Sequence, residues 1–345
     1  MVLFINLIGV EMKKVLHVGQ MKSGTTYVQN VLFENRKALK KEGWLYPGKL
    51  MNQQHACYGL CGTDIYWADN EKKWRDLGRE MLDEIEYHDG DIVISSEALS
   101  SLSRDGAAKF IDEIGGVDAV VVTVRSLFTT LPSAWQQYIK GGGVVSIADF
   151  FDRLDKNRED GSGMWRTYSY GKTVKIWSEF SPVKVVVIPE NPTSKNQLWE
   201  DFSGVVGLPD LSDVVVNDSR SNVSLNYEAA EILRSINVEV ERCKPRVSKK
   251  EVEQFRRNYL NRYIFPIAGN KRGTKTKIPE DYKRLVSQWN DQEKELLLSS
   301  ADDIVGDVKD LVCYEGGELS LCHGGGGEFL SEIACQIVGG YKWKN

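Results

Sequence analysis

At 345 residues, with 41% hydrophobic and 27% charged residues, the chain has the composition of a folded globular protein. It is long enough for one large α/β domain or two smaller ones. A net charge of −5 argues against a general nucleic-acid binder and still allows a local basic pocket for an anionic cofactor.

The apolar stretch Val2 to Val10 is too short to cross a bilayer and lacks the basic start of a signal peptide, so no transmembrane segment is expected and the chain reads as cytoplasmic. Met12-Lys13-Lys14 offers a second start, which would make residues 1–11 an upstream extension; the N-terminal extension is drawn as residues 1–12. Residues 13–312 read as a single α/β domain, and residues 313–345 as a Gly-rich C-terminal tail with no assigned role.

The first element is a short apolar strand, Val15 to Val18, followed by a turn from Gly19 to Gly24 and a helix carrying Val28, Val31 and Leu32. A strand, a glycine-bearing turn and a helix N-terminus form a cradle of backbone N–H groups that suits a phosphate-like anion. The lysine decides which anion. A Walker A loop needs Gly-Lys-Ser/Thr at its end, but Thr25 follows Gly24 here, and Lys22 lies two positions earlier in Lys22-Ser23-Gly24-Thr25-Thr26.

Beyond the first helix, Gly43 to Gly48 reads as a short extended piece and a turn. His55 follows in a loop that reaches the ligand-binding edge of such a sheet, or serves as an ordinary packing residue. Residues 71–88 form an amphipathic helix on Trp74, Leu77, Met81, Leu82 and Ile85. The next strand, from Asp91, turns polar at Ser95, Ser96 and Glu97 and so delivers a carboxylate at its carboxyl end.

Val117 to Val124 hardly alternates, as expected of a strand covered on both faces, and it ends in Arg125. Eight residues later Ser133 opens a helix that stops at Gly141 to Gly143. An arginine fork at a strand end and a serine one loop later suit a single phosphate. Ile147 to Leu154 is amphipathic. The aromatics Trp165, Tyr168, Tyr170 and Trp177 read as core, and Met164 to Tyr170 as a loop that lines an acceptor pocket. Val183 to Ile188 is a fourth strand, and a helix runs from Leu198 to the turn before Pro209.

A helix over Glu228 to Asn237 is expected, capped by Ser224 or Asn226, then a charge-rich stretch from Ser248 to Tyr259. A basic loop over 269–277 and a helix from Pro279 to Leu298 complete the series. The six cysteines form no C-x-x-C pair and read as free thiols. Cys322-His323 with Cys313 and Cys335 is set aside as a metal cluster, so no metal is expected.

Lys22-Ser23-Gly24-Thr25-Thr26 resembles the 5′-phosphosulfate loop of sulfotransferases that use 3′-phosphoadenosine 5′-phosphosulfate (PAPS), and Arg125 with Ser133 resembles the pair that holds the 3′-phosphate in that family. The resemblance covers roughly residues 13–300. It implies a P-loop-like sulfotransferase architecture with a central, mostly parallel sheet flanked by helices. Lys271, Arg272 and Gly273 would close the 3′-phosphate site, as the family's C-terminal basic loop does.

The implied reaction moves a sulfuryl group to a hydroxyl or amine of a small-molecule, glycan or lipid acceptor and releases 3′-phosphoadenosine 5′-phosphate (PAP). Lys22 would stabilise the leaving group, and Glu97, with His55 as second choice, would take the acceptor's proton. The competing readings are a P-loop kinase or other NTPase, against which the displaced lysine counts, and a non-catalytic nucleotide-binding module. The sequence identifies neither the acceptor nor the oligomeric state.

Overall fold

The computed structural model describes residues 12–62, 64–65, 67–68, 71–161, 163–211, 224–243, 248–259 and 274–312. The extension before residue 12, the trio Lys271, Arg272 and Gly273, the cysteines 313, 322 and 335 and the Gly-rich tail lie outside the described residues. The chain divides into two compact units, the first taking residues 1–125, 166–217 and 291–311, the second 126–165, 218–290 and 312–345.

The first unit is α/β. Its strands are β1 (Lys14–His17), β2 (Trp44–Leu45), β3 (Asp91–Ser95), β4 (Ala119–Val124), β5 (Val183–Val187) and β6 (Asp303–Val305). All pair in parallel, in the order β2-β3-β1-β4-β5-β6. In β4 every residue is buried, which explains its run of valines: helices cover both faces, and the one polar side chain, Thr123, has buried partners of its own. Each valine so buried contributes about 1.5–3 kcal/mol of transfer free energy.

On one face, α1 (Thr25–Glu34), α2 (Arg36–Lys41) and α10 (Gln197–Val206) set Val28, Val31, Leu32, Leu39, Trp199 and Phe202 against Val15, Val93, Val121 and Val186. On the other face, α9 (Tyr170–Trp177) packs against β4, and α5 (Arg104–Glu113) packs against α9. A further pair, α3 (Gln54–Cys61) and α4 (Lys72–Glu86), crosses closely; a Cβ on Gly59 would lie 2.0 Å from the Trp74 carbonyl oxygen.

The second unit is helical. It contains α6 (Leu127–Lys140), α7 (Ile147–Glu159), α11 (Tyr227–Cys243) and α12 (Lys249–Tyr259), with α8 (Gly163–Tyr168) and α13 (Glu280–Ser300) extending across the division of the chain. Asn226 caps α11 by accepting from the Ala229 N–H at 2.8 Å. Gln136 on α6 bonds both the N–H and the carbonyl of Leu225, at 3.0 and 2.8 Å, as well as the Thr276 hydroxyl.

Two expectations are corrected. The sixth helix begins at Leu127, capped by the Ser126 hydroxyl, and Ser133 sits in its second turn. Pro132 lies inside the helix and removes only the N–H that would bond the Phe128 carbonyl, so it does not act as a start. Met164 to Tyr170 is not a loop: α8 occupies most of it, and Trp165, Tyr168, Tyr170 and Trp177 are all buried as core. Three elements give little sequence signal: α3, α5 and the three-residue β6.

Candidate active site

Because every strand runs the same way, the carboxyl ends share one edge, and the chain after β1 departs toward β2 while β4 lies on the opposite side. Such a reversal opens a crevice beyond β1 and β4, the usual ligand position in open α/β sheets. The loop from Gly19 to Gly24 leaves β1 at this point.

Its base is stitched to β4: Gln20 N–H bonds the Thr123 carbonyl at 2.7 Å, and Thr123 N–H bonds the Gly19 carbonyl at 2.6 Å. At its far end Gly24 has φ +75° and precedes the first turn of α1. A Cβ there would lie 2.4 Å from Leu198 Cδ2, so the backbone requires glycine and an added Cβ would displace the end of the Leu198 side chain. Lys22 also adopts a left-handed backbone, φ +67°, at a cost of about 1–2 kcal/mol for a residue with a Cβ. The amides of Thr25 and Thr26 lie in the helix's first turn, where no intrahelical acceptor exists. Ser23 behaves differently. Its N–H turns back to the Gln20 carbonyl at 3.2 Å, and its hydroxyl bonds the same carbonyl.

Beneath the loop runs a buried polar chain that the sequence reading missed. His17, wholly buried in β1, places Nδ1 2.8 Å from the Ser95 hydroxyl of β3 and Nε2 3.2 Å from the Thr123 hydroxyl of β4. Thr123 in turn donates to the Gly19 carbonyl at 2.9 Å and lies 2.7 Å from the Ser23 hydroxyl. Burial pulls His17 down to about 3, with a hydrogen bond to Gly19 opposing, so the imidazole is neutral and can give one proton and accept another. A signal was available in the sequence: the polar residues His17, Ser95 and Thr123 stand at or near the carboxyl ends of three strands whose middles are apolar.

Glu97 opens a 3-10 turn, Glu97–Ser101, directly after β3. A Cβ on Gly19 would lie 3.3 Å from Glu97 Cα, so this residue packs against the first residue of the loop. Its Oε2 accepts from Gln29 Nε2 at 2.7 Å, and Gln29 is wholly buried on α1 one turn beyond Thr25. Tyr46 and Cys57 also face this carboxylate; burial raises both, Cys57 to about 12 and Tyr46 well above the ordinary phenol value, so both stay neutral.

His55 lies on α3 with its ring stacked on Trp74 at 4.0 Å and edge-on to Tyr58 at 5.6 Å. The structure thus puts His55 in the α3–α4 pair and Glu97 beside the loop. Arg125 follows β4 at the same sheet edge and is half-buried; burial lowers its pKa and Glu190 partly offsets this, but the guanidinium stays charged. Ser133 belongs to the second unit, on α6. Lys271, Arg272 and Gly273 fall outside the described residues.

Among the described residues no group of three His, Cys, Asp or Glu side chains gathers as a metal site, and no helix is long and apolar enough to cross a membrane. The arrangement brings together a glycine-bearing turn, first-turn amides without intrahelical acceptors, a lysine in the turn, and a carboxylate beside it in the turn after β3. Comparison with family models, curated proteins and solved structures returned no match.

Proposed function

We propose that the chain is a PAPS-dependent sulfotransferase of P-loop-like architecture. One observation carries the reading: Lys22-Ser23-Gly24-Thr25-Thr26 forms the turn between β1 and α1 at the sheet's reversal point, with Glu97 packed against Gly19. The residues present fit the group. The cradle closes on two positive-φ glycines, and the buried Nε2 of Gln20, within the loop, has no acceptor of its own.

When bound, PAPS supplies an activated sulfuryl group on its 5′-phosphate. Lys22 and the first-turn amides would hold the phosphosulfate and offset the negative charge of the leaving group. Glu97 would accept the proton of the acceptor's hydroxyl or amine, and PAPS would supply the sulfuryl group and leave as PAP with the electron pair of its sulfur–oxygen bond. Most of the rate enhancement then comes from positioning and fixed positive charge. Arg125, at the next strand end, serves the 3′-phosphate; the assignment of Ser133 to it rests on sequence spacing alone. The acceptor is a small molecule, glycan or lipid, the reaction is cytoplasmic, and no nucleic acid takes part.

Calorimetric titration with PAP tests this, with ATP plus Mg²⁺ alongside and Arg125→Ala as control. Tight PAP binding that weakens in the variant is the expected result. Preference for ATP would transfer the site to the kinase reading, and binding of neither nucleotide would end the nucleotide assignment.

A further inference from the structure

Three features of the first unit stand apart from the loop itself. A cavity of about 600 Å³ between Lys40, Glu84, Tyr87 and His88 lies by Gly90, at the amino end of β3 and away from the loop, and nothing in it selects a ligand. The buried chain through His17 holds the loop's shape. The third, the contact between Gln29 and Glu97, bears directly on chemistry.

We infer that Gln29 is the positioning residue of this site: its side-chain amide holds one oxygen of Glu97 and leaves the other for the acceptor's proton. The inference rests on the sulfotransferase reading above and names a residue that reading does not require. Three observations support it. The Gln29 Nε2 to Glu97 Oε2 distance, 2.7 Å, is that of a charge-assisted bond, the strong kind. Gln29 Nε2 also lies 3.4 Å from the Ser95 carbonyl, which fixes the amide against the end of β3. And Gln29 Oε1 is buried with no hydrogen-bond partner, a cost that an apolar side chain of similar volume avoids. A residue kept for packing alone would be better as methionine. The amide earns its place through what its nitrogen holds.

The carboxylate's other neighbours do not compete for this role. Tyr46, following β2, donates its hydroxyl to the Met51 carbonyl at 2.7 Å, and Cys57, on α3, bonds Ser96; from the loop, Gly19 presents only backbone. Gln29 on α1 is the neighbour with a donor on the carboxylate, and it comes from the same helix whose first turn bounds the cradle. Cradle and base are thereby held in one frame. A general base needs that geometry within hydrogen-bond reach of the proton it takes.

The test uses Gln29→Met, Gln29→Glu and the exchange variant Gln29→Glu with Glu97→Gln, each in the full chain. Gln29→Met is expected to fold and to bind PAP as wild type does. Its turnover should fall on the order of tenfold, with an altered pH–rate profile. Gln29→Glu sets two carboxylates together, which favours sharing one proton, so its thermal stability should drop relative to wild type as pH rises from 5 to 8. The exchange variant restores an amide–carboxylate bond and should remove that pH dependence while leaving turnover lost, because the carboxylate now stands on α1.

Wild-type turnover and pH profile in Gln29→Met, or no pH-dependent destabilisation in Gln29→Glu, would overturn the inference while leaving the sulfotransferase reading intact. A wild-type protein that neither binds PAP nor transfers a sulfuryl group would overturn that reading, and the positioning role with it; the stability arms alone then report whether the two side chains meet.

Discussion

The Ser23 hydroxyl lies 2.7 Å from the Thr123 hydroxyl, joining the loop after β1 to the interior of β4. Thr123 is a hub, since it also meets His17 and the Gly19 carbonyl. Thr123→Val keeps the shape and removes every one of these bonds. The buried His17 Nε2 then loses its partner, at about 1–3 kcal/mol, while the Gly19 carbonyl keeps the Thr123 N–H. Urea unfolding should show a lower midpoint at unchanged slope, and PAP affinity should fall with it; an unshifted midpoint would reject the hub.

His17 makes stability depend on pH. Its pKa falls from 6.5 to about 3 on folding, so the unfolded chain binds the extra proton between those values. Stability is therefore fully present above pH 6.5 and is lost as pH falls toward 3, with a limiting slope of about 1.4 kcal/mol per pH unit. Unfolding free energies measured at pH 7, 6 and 5 should drop more steeply for wild type than for His17→Gln. Parallel curves would mean that His17 carries no such linkage.

Lys22 separates strain from function. Its left-handed backbone, φ +67°, suits glycine better, so Lys22→Gly should be as stable as wild type or up to about 1 kcal/mol more so. The same change removes the loop's cation and should weaken PAP binding by tenfold or more. If affinity survives, the lysine is not on the anion.

At Gly24 the two demands can be told apart. Gly24→Ala meets both the positive φ and Leu198 Cδ2, and should cost more than the roughly 1–2 kcal/mol of the backbone term alone. Adding Leu198→Ala relieves the contact and leaves the backbone term, so the double variant should lose less than the sum of the two single losses. Strict additivity in a double-mutant cycle would show that the contact is not felt.

Glu97→Gln should lower turnover by about 10² to 10⁴ with PAP affinity retained, because only the proton acceptor is lost. His55→Gln serves as comparison. With its ring stacked on Trp74, it should change turnover far less. A larger loss at His55 than at Glu97 would exchange their roles.

What could be read in the sequence divides along physical lines. The strand–loop–helix at residues 14–34 was legible because its period changes at two glycines, and β4 because an unbroken valine run suits only a doubly covered strand. The α6 start was read at Ser133, whereas the helix begins at Leu127 after the Ser126 cap. Glu97 could be placed at a strand end, but Gln29 could not be joined to it, since 68 residues of chain separate them. His17, Ser95 and Thr123 stood in plain view as polar residues at or near strand ends, and only the pairing order β3-β1-β4 makes them neighbours.

The sheet ends in stubs. Among the described residues its outermost strands, β2 and β6, are two and three residues long, whereas the four between them have four to six. A row of unpaired backbone groups that short gives another chain almost nothing to extend. The long valine-rich ladder, the segment most prone to templating aggregates, is confined to the middle, where both its sides are already taken.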